Sequence, residues 1–254
     1  MKTNKMRPLL LFIALVLFTV VLAGCGVPYD KMSAKEIYAM GQEKYDKGKY
    51  SEAIEAYEAL IDLYPFSVLV TKAELGVADA YYKKRRYAEA IPAYEDWLQR
   101  HPTNEKVPHV LYNLGMSHYE LKLAIDRDQT DTFAAEKNLF RLVTDFSGSE
   151  YYGQAKEKLS EVRKDLAKRE RYIAKFYYRE KEYYAALRRY NRVIRNYPDT
   201  EYFSESLYYS GICYYELGET DSARQQFELL ATKFPGNKYA KKAKKFMEKL
   251  PEKQ

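Results

Sequence analysis

Cysteine and histidine, which can perform covalent chemistry or bind a metal, are both rare in this chain of 254 residues. The cysteines are Cys25 and Cys213, and a thiolate can act as a nucleophile, a metal ligand or a site of covalent modification. The histidines, at positions 101, 109 and 118, are not joined by cysteines or paired carboxylates at the spacing of a metal site. We therefore expect no metal, no cofactor and no enzymatic activity.

Cys25 follows a segment that is typical of a secretory leader. Basic residues precede Leu9–Leu22, an apolar run of 14 residues that is too short to cross a bilayer, which needs roughly 20. The run ends in Leu22-Ala23-Gly24-Cys25, which resembles the bacterial lipobox. This resemblance implies that residues 1–24 are a signal peptide and that Cys25 receives a diacylglycerol and an N-acyl chain, enough for stable anchoring. An ordinary signal peptide with a free thiol is the alternative.

The residues after Cys25 predict where the chain is anchored. Residues 25–32 form a short acylated tether, and Pro28 marks it as irregular. Gly26 stands where an inner-membrane retention signal would place Asp, so similarity to the sorting rule of diderm bacteria implies the periplasmic face of the outer membrane. Ser33 and Glu36 have the spacing of a capping box and should open the first helix.

Tyrosine is abundant and recurs at equivalent positions of successive repeats. The recurring residues are Tyr45, Tyr82, Tyr119, Tyr178 and Tyr215, and Tyr38, Tyr112 and Tyr208 lie seven residues before three of them, on the same helix face. Such rings could anchor a bound peptide, as aromatic hot spots do. The candidate groove consists of Tyr38, Tyr45, Asp79, Tyr82, Tyr112 and Tyr119. The alternative is that the rings pack against the neighbouring repeat.

A second candidate surface is a run of four arginines, Arg188, Arg189, Arg192 and Arg195. Apolar residues between them must face the core, so Arg188, Arg192 and Arg195 should share an outward face, with Arg189 at its border. Guanidinium groups pair with carboxylates in bidentate geometry. The face is predicted either to dock an acidic partner or to be simply solvated.

The elements that position these residues are helical hairpins that repeat along the chain. A shift of 37 residues carries Ala53, Tyr57 and Pro65 onto Ala90, Tyr94 and Pro102, and the same shift relates two later hairpins. The order of small and large residues resembles the tetratricopeptide repeat. The predicted fold is an all-α solenoid of five such hairpins within residues 33–254, with repeats at about 33–66, 67–103, 104–148, 149–200 and 201–237 and a capping helix at 238–250.

Two departures from the period are expected to be structural. The third repeat has an insertion between Tyr119 and Ala135, and the fourth should have a long first helix over Tyr151–Arg179. The net charge of +6 falls to +3 once Lys2, Lys5 and Arg7 of the leader are subtracted. This is too mild a charge to predict nucleic-acid binding.

These features together resemble one protein family. They are the lipobox, the five repeats, Tyr64-Pro65-Phe66, Ala80-Tyr81-Tyr82, Asp126-Arg127-Asp128 and Tyr197-Pro198-Asp199-Thr200, and they resemble the BamD family of the outer-membrane β-barrel assembly machinery. The resemblance implies a scaffold whose C-terminal repeats dock the periplasmic domains of a BamA-like subunit. It also implies that the N-terminal groove receives unfolded outer-membrane proteins and that accessory lipoproteins are further partners. The alternatives are a pilotin for a secretin and a lipid-anchored hydrolase, for which no nucleophile with a base is present.

Overall fold

The computed structural model describes residues 28–251, and within them all regular secondary structure is helical. A 3-10 turn at Tyr29–Lys31 falls inside the predicted tether. The α-helices that follow are α1 (Ala34–Asp46), α2 (Tyr50–Leu63), α3 (Val70–Lys83), α4 (Tyr87–Arg100), α5 (Val107–Leu121), α6 (Thr130–Asp145), α7 (Tyr152–Arg179), α8 (Tyr183–Asn196), α9 (Phe203–Glu216), α10 (Thr220–Lys233) and α11 (Lys238–Met247). They form five successive hairpins and a terminal helix, which confirms the predicted all-α fold class.

The first helix begins as its sequence predicts. The Ser33 hydroxyl accepts a hydrogen bond from the Glu36 amide at 3.4 Å, and the Glu36 carboxylate accepts one from the Ser33 amide at 2.7 Å. These two bonds are the capping box. They satisfy two amide groups that would otherwise have no partner in the first turn.

The described chain divides into two compact units, of which the first ends at Gly76 and the second begins at Val77, within α3. Tyr57 is the centre of the first unit. A Cβ atom added to Gly41 would lie 2.6 Å from its ring, and one added to Gly76 would lie 2.5 Å from it. Because only glycine leaves room for this ring, Gly41 and Gly76 let their helices approach α2 closely.

The core clusters of the second unit include residues from adjacent hairpins. Leucines 111, 114, 139 and 142 are buried between α5 and α6. Tyr190 and Cys213 lie in the next cluster, and Phe227 in the last one, which α11 covers with Ala240 and Ala243. The hairpins of the second unit therefore bury apolar residues against one another, as expected for stacked repeats.

Both predicted irregularities are confirmed. Helix α7 has 28 residues, twice the length of α8. The insertion in the third repeat forms the loop between Leu121 and Thr130, and Gln129 holds it through bonds from its amide to the carbonyl groups of Ala124 and Asp128, at 2.9 and 3.0 Å. Among the described helices, none combines the length and the apolar character needed to cross a bilayer.

Candidate partner-docking and peptide-binding sites

Of the two cysteines, the structure describes Cys213 but not Cys25. Cys25 lies outside the described residues, so its acylation stays a prediction. Cys213 is fully buried in α9, and burial raises the pKa of its thiol to about 12. The thiol is therefore protonated at neutral pH and acts as a small apolar side chain with a structural role.

Several tyrosines of the predicted groove pack edge-to-face inside their own hairpins. In three hairpins a ring at the end of the first helix contacts a ring at the start of the second: Tyr45 with Tyr50 at 5.4 Å, Tyr82 with Tyr87 at 5.7 Å, and Tyr178 with Tyr183 at 6.0 Å between centroids. Burial raises the pKa of Tyr82 to about 12. These rings stabilise the turn between the two helices, an arrangement that the five-residue spacing in the sequence could have predicted.

The remaining rings of the groove also have packing partners. Tyr38 contacts Tyr57 at 5.7 Å in the first unit. In the second unit Tyr112 stacks on Tyr151 at 5.2 Å, and the Tyr119 hydroxyl donates to Glu161 at 2.6 Å. All of the predicted groove tyrosines are half-buried. The packing alternative thus has direct contacts in its favour, and the peptide-binding role stays a prediction.

Asp79 is the centre of a polar cluster that joins four elements of the second unit. Its Oδ1 accepts a hydrogen bond from the Tyr94 hydroxyl at 2.6 Å and lies 2.7 Å from His109 Nε2. The other nitrogen of His109 lies 3.0 Å from the Tyr151 hydroxyl. Asn113 approaches Asp79 at 3.4 Å. The sequence placed Asp79 in the groove but did not predict these partners, which lie 15 to 34 residues away.

The arginines of α8 lie where their spacing predicts. Arg188, Arg192 and Arg195 are exposed, and Arg189 is half-buried. An open groove of about 450 Å³ runs beside them, lined by Arg188, Asn191, Arg192, Ile194, Arg195 and Gln226. Among the described residues, Arg188 and Arg195 have no ion-pair partner.

Two of the four arginines have a partner that sequence reasoning missed, the buried Glu170 of α7. This carboxylate is 5% exposed and lies 3.1 Å from Arg189 and 3.5 Å from Arg192. A buried carboxylate requires such counter-charges. Arg189 and Arg192 therefore hold α8 against α7, while Arg188 and Arg195 are the members of the set that remain available to a partner.

A second buried carboxylate, Glu205 of α9, faces the same long helix. It lies 2.6 Å from Arg171 and 2.8 Å from Lys175. Burial by itself would raise the pKa of Glu205, but the hydrogen bonds from these two cations hold it below its ordinary value. Glu205 is thus ionised at neutral pH and fixes α9 to α7.

The fold and these sites can be compared with known proteins. A family profile described as "YfiO: Outer membrane lipoprotein" matches residues 30–229. The "Outer membrane protein assembly factor BamD" of Rickettsia prowazekii (strain Madrid E) is 28% identical over 94% of this chain and 95% of its own length. Its namesake in Caulobacter vibrioides is 25% identical over 89% of this chain and 77% of its own length.

A further relative and one solved structure complete the comparison. The protein of the same name in Vibrio cholerae serotype O1 is 28% identical over 83% of this chain and 92% of its own length. Among solved structures, the MamA protein overlaps with a TM-score of 0.41 and 19% identity over 87% of this chain and 98% of that one. With four-fifths of its residues matched by one family profile, this chain belongs to the YfiO family of outer membrane lipoproteins.

Proposed function

We propose that this protein is a non-enzymatic scaffold for the assembly of outer membrane proteins, anchored through Cys25 to the periplasmic face of the outer membrane. Support for the assembly role comes from relatives named "Outer membrane protein assembly factor BamD" that match most of the chain. Within this role, the arginine face of α8 docks an acidic surface of a BamA-like barrel subunit. The half-buried tyrosines of the predicted groove receive segments of unfolded substrates.

The docking proposal is supported by two exposed arginines beside an open groove, Arg188 and Arg195, which have no ion-pair partner among the described residues. Arginine is enriched at interfaces because its planar head pairs with carboxylates and its stem packs against apolar groups. Ile194 supplies such an apolar group in the groove, and Asn191 and Gln226 supply polar ones. Together they offer the mixture of charge and apolar surface that a specific interface needs.

The experiment that tests this proposal reverses the two free charges. We expect Arg188→Glu with Arg195→Glu to weaken association with the barrel subunit about tenfold, or about 1.4 kcal/mol, and the wild-type complex to weaken as salt rises. The measurement is recovery of the complex from detergent-solubilised membranes, followed by titration of the purified partners. Helicity and melting temperature should change little, because both side chains are exposed.

Arg189→Glu is the matched contrast on the same helix. It would place a second carboxylate beside the buried Glu170, so we expect it to lower stability as well as complex recovery. If the Arg188/Arg195 variant recovers the barrel subunit at wild-type yield, the face is only a solvated surface and docking lies elsewhere. Recovery of a secretin in place of a barrel subunit would favour the pilotin alternative.

A further inference from the structure

We infer that the turn after α2 inserts two apolar side chains into the lipid surface beside the acyl anchor and so orients the first unit on the membrane. The two side chains, called the apolar tip below, are Phe66 and Val68, which are 100% and 91% exposed. Neighbouring Leu63 is 46% exposed, so the apolar surface extends back onto α2. Soluble monomers rarely leave such side chains together in water without a function.

The other four repeats show that the turn itself does not require apolar residues. The positions that correspond to Phe66 and Val68 are occupied by Thr103 and Glu105, Gly148 and Glu150, Asp199 and Glu201, and Gly236 and Lys238. All of these are small, polar or charged. The one repeat that follows the predicted anchor directly is therefore the one repeat that carries a large apolar pair here.

One backbone hydrogen bond of the turn recurs in all five repeats. The Ser67 amide donates to the Tyr64 carbonyl at 2.9 Å, and the same bond recurs at Asn104, Ser149, Thr200 and Asn237. The Leu69 amide also donates to the Ser67 hydroxyl at 3.2 Å. Because the turn is already ordered, the apolar tip would insert without the entropic cost of ordering a loop.

The position of the turn favours lipid as the surface that the apolar tip contacts. The Tyr64 hydroxyl donates to the Met32 carbonyl at 2.5 Å, which fixes the turn next to the last residue of the tether. Met32 is seven residues from Cys25, so the acylated residue can be at most about 25 Å away. The inference rests on the proposed acylation of Cys25 in this respect, since the anchor would hold this turn near the bilayer.

The charges near the turn indicate what kind of attraction is involved. Asp30 and Glu36 balance Lys31 and Lys35 in the adjacent stretch. The contact should therefore be hydrophobic and should depend neither on anionic lipids nor on salt. The proposed acyl chains supply stable anchoring, so the apolar tip adds a second point of contact that restricts rotation of the first unit about the anchor.

The test places a fluorescent probe in the turn of the full chain. Phe66→Trp is reconstituted into phosphatidylcholine vesicles with brominated acyl chains, which quench a buried indole on contact. The native Trp97 is 1% exposed and gives the background signal, measured in the unsubstituted protein. We expect Trp emission at position 66 to be shifted to the blue and quenched several-fold more than at position 103 in the matched variant Thr103→Trp.

Two further results decide the inference. Adding Val68→Glu to Phe66→Trp introduces the charge that the second, third and fourth repeats carry, and it should abolish the quenching while leaving the protein bound to vesicles. If Trp emission at position 66 is quenched no more than at position 103, the apolar tip does not insert into lipid. The tip would then be the contact site of a partner protein. No barrel subunit is present in this experiment, so failure of the scaffold proposal would appear separately, in complex recovery.

Discussion

One residue in each of four hairpin turns adopts the left-handed backbone conformation. It is Gly48 and Gly218 in the first and last hairpins, with φ of 73° and 82°, but Arg85 and Lys181 in the second and fourth, with φ of 59° and 61°. For a residue with a Cβ atom, the left-handed conformation costs roughly 1 kcal/mol of conformational free energy. The basic run at residues 83–86 therefore includes a position where the backbone favours glycine.

Three glycine-to-alanine changes should separate backbone strain from packing. Gly48→Ala should lower the free energy of unfolding by about 1 kcal/mol, because its Cβ meets nothing within 4 Å and the left-handed conformation is the single cause of strain. Gly41→Ala should lower it by about 1 to 3 kcal/mol, because the new methyl group meets the Tyr57 ring. Urea unfolding monitored by circular dichroism measures both.

Gly153→Ala is the control for this series. Gly153 is helical, has no positive φ and would place its Cβ in open space, so we expect a gain of up to about 1 kcal/mol from the better helix former. A loss at Gly153, or no loss at Gly41, would contradict the explanation. The sequence analysis did not predict the contact of Gly76 with the Tyr57 ring, because Gly76 falls outside the repeated positions.

Helix α7 is the element that joins the hairpins of the second unit through charged groups. Arg163 contacts Glu136 of α6 at 2.9 Å and Asp199 beyond α8 at 2.5 Å. Glu170 binds Arg189 of α8, and Arg171 binds Glu205 of α9. The sequence predicted the length of α7 because it lacks proline. It could not predict these pairs, because partners 19 to 36 residues apart look like ordinary surface charges in a sequence.

The Glu205 pair should make stability depend on pH. Its carboxyl has a pKa below the ordinary value of 4.5, so the stabilisation is complete above that value and is lost as pH falls through the lowered pKa. Glu205→Gln should lower the free energy of unfolding by about 1 to 3 kcal/mol at pH 7, because two cations lose their counter-charge. The difference from wild type should shrink at about pH 3.5.

Glu228→Gln, at an exposed position of α10, serves as the control for this experiment. Its effect should stay within about 0.5 kcal/mol at both pH values. Urea midpoints at the two pH values give all the comparisons. A Glu205 variant that loses the same stability at low pH as at neutral pH would show that the deficit comes from packing and not from the ion pair.

At the scale of the whole molecule, the repeat period was the most informative feature of the sequence. It predicted five hairpins, the insertion in the third repeat, the long first helix of the fourth and the terminal helix, because stacked repeats must place small residues where helices cross. The period could not show whether the tyrosines bind a peptide in a groove or pack against their neighbours in the fold. The same aromatic residue type serves both roles, and the ring contacts at Tyr50, Tyr87 and Tyr183 depend on turn geometry that a helical period does not describe.

The terminal helix, α11, covers the apolar face of the fifth hairpin. Phe246 of α11 contacts Tyr215 of α9 at 5.1 Å and Phe227 of α10 at 5.3 Å between ring centroids. Repeat arrays need such a cap because the last repeat has no neighbour to bury its face. Phe246→Ala should therefore lower the free energy of unfolding by about 2 to 4 kcal/mol and expose Phe227, which promotes aggregation.

Lys245→Ala, at the adjacent exposed position of α11, separates this role from the basic charge of the helix. We expect it to change stability by less than about 0.5 kcal/mol. Chemical unfolding together with hydrogen exchange would localise the loss, since amides of α9 and α10 should lose protection in the Phe246 variant before those of α5 and α6. Uniform loss of protection along the second unit would instead mean that the unit unfolds cooperatively. The cap would then contribute to the stability of the whole unit and not to that of the fifth hairpin alone.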